Sequence, residues 1–61
     1  MYANARKYLE DRMRALITVS KLALDASENQ NDENQKRQLL EISTALSTEA
    51  EDISIMLKIS E

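Results

Sequence analysis

The chain has 61 residues, with no Cys, His, Gly or Pro, and its eight basic and eleven acidic residues give a formal net charge of −3. A chain this short hides only about 60% of the surface it exposes when unfolded, and commonly relies on disulfides, a metal or a partner. Without Cys or His it can build no disulfide, Cys/His zinc site, thiol nucleophile or histidine base, so a partner is the stabilising device left to it.

No uninterrupted apolar run is longer than that of Ala15-Leu16-Ile17, far too short to span a bilayer, so no membrane role is expected. Arg6, Lys7, Arg12 and Arg14 crowd the first residues, but no apolar stretch with a small-residue cleavage site follows them, and Glu10 and Asp11 interrupt any transit-peptide pattern. The expected compartment is the cytoplasm.

The absence of Gly and Pro removes the residues that break helices and make tight hairpin turns, and no segment alternates apolar and polar residues over a strand's length. The first element is therefore a helix over about 3–28. Ser27-Glu28-Asn29-Gln30-Asn31-Asp32-Glu33-Asn34-Gln35 holds no apolar residue, and its Asn, Asp and Ser side chains compete with the backbone for hydrogen bonds. The loop falls there, at about 29–31. A second helix follows over about 32–59, with Asn31 as its expected N-cap and Asp32 and Glu33 in the first turn, at the positive end of the helix dipole. At 1.5 Å per residue the helices run roughly 38 to 40 Å each, and matched lengths with a short connection favour antiparallel packing. Residues 1–61 are read as one all-α domain, an antiparallel two-helix hairpin.

Heptad spacing sets the expected seam. Tyr2, Leu9, Leu16 and Ala23 take one seam position of the first helix, and Ala5, Arg12, Val19 and Ala26 the other. In the second helix Leu39, Leu46, Ile53 and Ser60 match the first position, and Ile42, Glu49 and Met56 the second, with Ala50 and Leu57 beside them. Folding the chain back near residue 30 layers Ala23 on Leu39, Val19 on Ile42, Leu16 on Leu46 and Leu9 on Ile53. The same rule sets Arg12 opposite Glu49 between leucine layers, as a buried ion pair within the hairpin or across a dimer.

On a wheel of 100° per residue, the apolar arc of the first helix spans roughly 220°, about twice what one partner helix covers. A second hairpin supplies the missing cover, which predicts a homodimeric four-helix bundle with Met13, Ile17 and Leu24 at its interface. Leu40, Ile55 and Ile59 lie off the seam of the second helix, and mark either dimer packing or a site for another protein.

Catalysis is not expected. Glu10 with Asp11 and Glu51 with Asp52 are adjacent in sequence and so point about 100° apart, toward solvent, and a two-helix hairpin is expected to offer no concavity that would gather a hydroxyl nucleophile with a base and an oxyanion donor. No cofactor is expected either. Residues 1–21 carry five basic and two acidic residues, and 22–61 three basic and nine acidic, so Lys7, Arg14 and Lys21 form a heptad-spaced stripe that could follow a phosphate backbone. Asp11 and Asp25 lie beside that stripe, and no aromatic is interleaved for base stacking. The sequence is read as a protein-binding module, an adaptor, regulatory inhibitor or co-chaperone-like subunit, with nucleic-acid binding as the alternative.

Overall fold

The computed structural model describes residues 2–60, which form two α-helices packed against each other: α1, Ala3–Glu28, and α2, Glu33–Ile59. Both fall within a residue of the expected bounds. The chain reverses without a left-handed residue. Asn29 caps α1 at φ −96°, Asp32 caps α2 at φ −82°, and no described residue has positive φ, so the absence of Gly costs the turn nothing. Polar side chains hold the reversal: the Asn29 side-chain amide donates to the Asp25 carbonyl at 3.0 Å, and the Asp32 amide donates to Gln30 Oε1 at 3.2 Å.

The N-cap of α2 is Asp32 and not the expected Asn31. Its carboxylate accepts from the amides of Asn34 at 2.9 Å and Gln35 at 3.2 Å, so an ionised group meets two otherwise unpaired donors at the positive end of the helix. Glu33 sits in the first turn of α2 and Lys58 in its last, both of the sign the dipole favours.

The seam of the hairpin runs through Leu9, Met13, Leu16, Ser20, Ala23 and Ser27 on α1 and through Leu39, Ser43, Leu46, Ala50, Ile53 and Leu57 on α2, all buried or half-buried. One of the two expected rows is confirmed on each helix, except that Tyr2, expected at the start of the α1 row, is 87% exposed. The other is shifted by one residue. Val19 and Ile42 are about half exposed, and Arg12 and Glu49 are exposed, while Ser20, Ser27, Ser43 and Ala50 point inward in their place. The physical reason is the cost of dehydration: a buried arginine and glutamate lose their water for an attraction that barely offsets it, whereas a serine hydroxyl can be satisfied by a backbone carbonyl.

That satisfaction is visible. Ser20 Oγ donates to the Ser43 carbonyl at 3.0 Å, and Ser43 Oγ donates to the Ser20 carbonyl at the same distance, so each helix bonds directly to the backbone of the other. Ser20 Oγ also lies 2.7 Å from Ser47 Oγ, a contact in which either hydroxyl can be the donor. Ser27, with no exposed surface, turns its hydroxyl to the Leu24 carbonyl at 2.6 Å. No buried side-chain N or O atom among the described residues lacks a hydrogen-bond partner.

The hairpin therefore has two unlike halves. Toward the loop, small Ser and Ala side chains let the backbones approach. Toward the chain ends, Leu16, Ala50, Ile53 and Leu57 form the apolar core, with Leu9, Met13 and Leu46 packed against it. Arg6 ties the open end: its Nη1 donates to the Leu57 carbonyl at 3.2 Å, and its Nε lies 3.2 Å from Glu10 Oε1. A guanidinium at the carbonyl end of α2 also meets the negative end of that helix dipole.

This packing predicts that Ser20→Leu, which would complete a leucine seam by heptad rules, destabilises the protein by about 1 to 3 kcal/mol because it forces the backbones apart. Leu16→Ala should cost about 2 to 5 kcal/mol. Urea unfolding at fixed protein concentration measures both, and a Ser20→Leu variant of raised stability would show that the close approach is not needed.

Candidate functional site

A two-helix hairpin covers one stripe of each helix, and what lies outside that stripe is the surface available for function. It divides into two flanks and an outer back. On the first flank, Met13, Ile17, Ser20 and Lys21 of α1 face Ser47, Ala50, Glu51 and Ser54 of α2 across an open groove of about 520 Å³. Small side chains form much of its floor, so it can admit an apolar side chain or a helix edge, between Lys21 and Glu51 on its two walls. Leu24 and Leu40 continue this flank toward the loop, since Leu24 stands one heptad beyond Ile17 and Leu40 one heptad before Ser47.

The opposite flank carries a second row on each helix, with the same alternation of three and four residues as the seam. On α1 it is Ala5, Tyr8, Arg12, Ala15, Val19, Leu22 and Ala26; on α2 it is Gln38, Ile42, Ala45, Glu49, Asp52 and Met56. At 100° per residue each row lies about 100° around its helix from the seam. All of these residues are exposed, Tyr8 at 63% and Leu22 at 61%.

The residues singled out from sequence are distributed over these surfaces as follows. Ile17 and Leu24 lie together on the groove flank with Leu40, each about 40% exposed. Met13 is half-buried, packing against the hairpin's own core on one side while lining the open groove on the other. Leu40 does not meet Ile55 and Ile59, which lie about 22 Å or more along α2 from it at 1.5 Å per residue. Ile55 and Ile59 themselves stand one turn apart, diametrically away from the seam, at 48% and 79% exposure. Arg12 and Glu49 share the second flank, both exposed, and are not among the ion pairs of the hairpin. The buried pair within one chain is thus replaced by two solvated charges on one face.

The basic stripe is partly neutralised within α1. Asp11 lies 3.4 Å from Lys7 Nζ and 2.7 Å from Arg14 Nη2, one turn to either side of it. Two of the three cations therefore share one carboxylate, and only Lys21, on the groove wall, lies outside this cluster. Hydrogen bonding from Arg14, with the nearby charges of Lys7 and Arg14, holds the Asp11 carboxyl below its ordinary value against the opposing effect of desolvation.

Among the described residues no group of three or more His, Cys, Asp or Glu is placed to hold a metal ion, and no helix is long and apolar enough to cross a membrane. Sequence reasoning missed Ser20, Ser43 and Ser47. For Ser20 and Ser43 the signal was spacing: Ser20 and Ser27 continue the series Leu9, Met13, Leu16, Ala23, and Ser43 continues Leu39, Leu46, Ala50, while Ser47 lies outside both series. Comparison with protein families, with characterised proteins and with solved structures finds no match to this chain.

The carboxylate cluster predicts that Arg14→Gln returns the Asp11 carboxyl toward the ordinary aspartate range, as followed by carbon-detected NMR titration. Because the folded value is the lower one, the stabilisation from this cluster is present above the unfolded value and lost as pH falls through the folded one. An unchanged Asp11 titration in Arg14→Gln would show that the guanidinium does not hold it.

Proposed function

We propose that this chain is a small, non-enzymatic protein-binding module of the cytoplasm, an adaptor, regulatory inhibitor or co-chaperone-like subunit, that works as a homodimeric four-helix bundle through helix–helix contacts. The observation that carries this reading is the distribution of apolar side chains. The seam uses one stripe of each helix, yet eleven large apolar side chains among the described residues remain 39% exposed or more, on both flanks and on the outer back. Chains that work alone rarely expose contiguous apolar surface beyond a few hundred Å². One flank suffices for a second hairpin, and apolar residues remain after it is covered.

Ile55 and Ile59 support the partner half of the reading. They face directly away from the seam, where neither the hairpin nor a second hairpin stacked on a flank reaches. A pair of isoleucines one turn apart is the kind of anchor by which a helix docks along another protein's groove. Against nucleic acid stands the pairing of Lys7 and Arg14 with Asp11, which leaves little free positive charge for phosphates. Against catalysis stands the use of carboxylates in local pairs: Asp11 with Lys7 and Arg14, and Glu10 with Arg6.

Light scattering after size exclusion is expected to give about twice the 7.0 kDa chain mass at micromolar concentration, and a helical species of single-chain mass would end the dimer reading. Capture from the native cell should recover a protein that survives nuclease treatment. Ile55→Lys with Ile59→Lys should abolish that capture while leaving helicity and the scattering mass unchanged. Loss of capture on nuclease treatment would favour the nucleic-acid reading, and melting or dissociation of the isoleucine variant would make those residues structural.

A further inference from the structure

We propose that the flank bearing Val19 and Ile42 is covered by a second copy of this chain, related by a twofold axis parallel to the helices, so that Arg12 of each copy lies opposite Glu49 of the other. The proposal rests on the self-association put forward above and adds to it a face, a topology and a charge register.

The register follows from the serine contact. Ser20 and Ser43 bond each other's backbones, so they are level across the hairpin. Val19 and Ile42 each precede them by one residue, and Arg12 and Glu49 lie one heptad farther toward the open end on their respective helices. Because the helices are antiparallel, Arg12 and Glu49, like Val19 and Ile42, are offset by about 3 Å along the axis, within the reach of an arginine side chain, on one face of one hairpin.

The topology follows from charge. The second row of α1 contains Arg12 and no acidic residue; that of α2 contains Glu49 and Asp52 and no basic residue. A twofold axis perpendicular to the helices would lay α1 on α1 of the other copy, where Arg12 finds no acidic residue in the facing row wherever the axis is placed. An axis parallel to the helices lays α1 on α2 of the other copy at the same level. Arg12 then comes within about 3 Å of level with Glu49, as does Val19 with Ile42, and Tyr8 within about 5 Å of level with Asp52, to which its hydroxyl can donate. With both hairpins in place, each arginine is flanked by two glutamates and each glutamate by two arginines, an alternating square of charges.

The geometry of the faces agrees. Seam and second row stand about 100° apart on both helices, close to the right angle between neighbours in a square bundle. The hairpin extends 45 by 15 Å between its Cα extremes, so with its side chains this face is of the order of the roughly 800 Å² per partner that specific interfaces bury. Ala15 and Ala45 lie near the middle of the facing rows, where small residues let helices approach.

The test uses three chains. Arg12→Glu makes this layer wholly acidic in a homodimer, and Glu49→Arg makes it wholly basic, so each variant alone should self-associate at least about tenfold more weakly than the unsubstituted chain. Mixed, the two should form a one-to-one heterodimer with most of the lost affinity restored, because each acidic position then faces a basic one. If either variant loses helix alone and regains it on mixing, that also supports the proposal, since it shows association restoring the fold. The topology is read from nitroxide labels on Asn31→Cys, in a chain with no other cysteine. Loops at one end of the bundle place the labels within about 20 Å, given helix spacings of about 8 to 10 Å; loops at opposite ends place them near the 45 Å length of the hairpin. Dimers whose labels are far apart, or variants that each dimerise as tightly as the original chain, overturn this arrangement and leave the self-association reading standing. Single chains alone in the unsubstituted protein overturn both.

Discussion

The direct bonding of one helix backbone to the other through Ser20 and Ser43 is the constraint on which the rest of this hairpin depends. A hydroxyl has a reach of one side-chain atom beyond Cβ, so two such bonds in opposite senses require the backbones to lie close and level at that point. Once level there, the heptad spacing carries the alignment outward: Ala23 and Ser27 toward the loop, Leu16 and Leu46 and then Leu9 and Ile53 toward the open end. A sliding helix would break both serine bonds together and leave two buried hydroxyls without their cross-helix acceptors, a penalty that apolar layers alone would not impose. The polar contact thus contributes register more than net stability.

The two halves of the hairpin divide the work of holding it together. Close approach toward the loop brings many atoms within dispersion range but buries little apolar area, while the Leu16, Ile53 and Leu57 cluster supplies that area toward the chain ends. Chain ends are where a hairpin frays, and here the largest apolar residues and the bond from Arg6 to the Leu57 carbonyl lie at that end. The loop end is held covalently by the turn, with the Asp32 carboxylate pairing the amides of Asn34 and Gln35 in the first turn of α2.

The elements were legible in the sequence because their signals are local: no helix breaker within either helix, and one stretch free of apolar residues between them. The exposed isoleucines at 55 and 59 were legible too, since their spacing places them away from any seam. The second seam row was not. Ranking positions by hydrophobicity places Val19, Ile42 and the charges in register with them inside, and puts Ser20, Ser27 and Ser43 outside. The structure reverses this because a buried hydroxyl with a carbonyl in reach costs little, and because only small residues permit the approach that brings the carbonyl into reach. That reward comes from the facing helix, and appears only once the pair is considered together. The N-cap shifts from Asn31 to Asp32 for a related reason, the carboxylate accepting from two amides at once.

The exclusion of Arg12 and Glu49 from the seam has a consequence for association. Inside the hairpin they would have specified the pairing of α1 with α2, a task the serines already perform. Outside it, nearly level with each other on a face whose other members include Val19, Ile42, Ala15 and Ala45, they mark that face with a charge pattern that is self-complementary under one twofold arrangement and not under its perpendicular alternative. Apolar rows alone would accept many registers, because sliding by a heptad exchanges one apolar layer for another. A single charged layer removes that degeneracy, since every slip sets a charge against an apolar neighbour. The same chain thus separates two requirements: neutral hydroxyls set the register within the hairpin, where water is excluded, and full charges are kept for the outer face, where they stay hydrated until a complementary surface arrives.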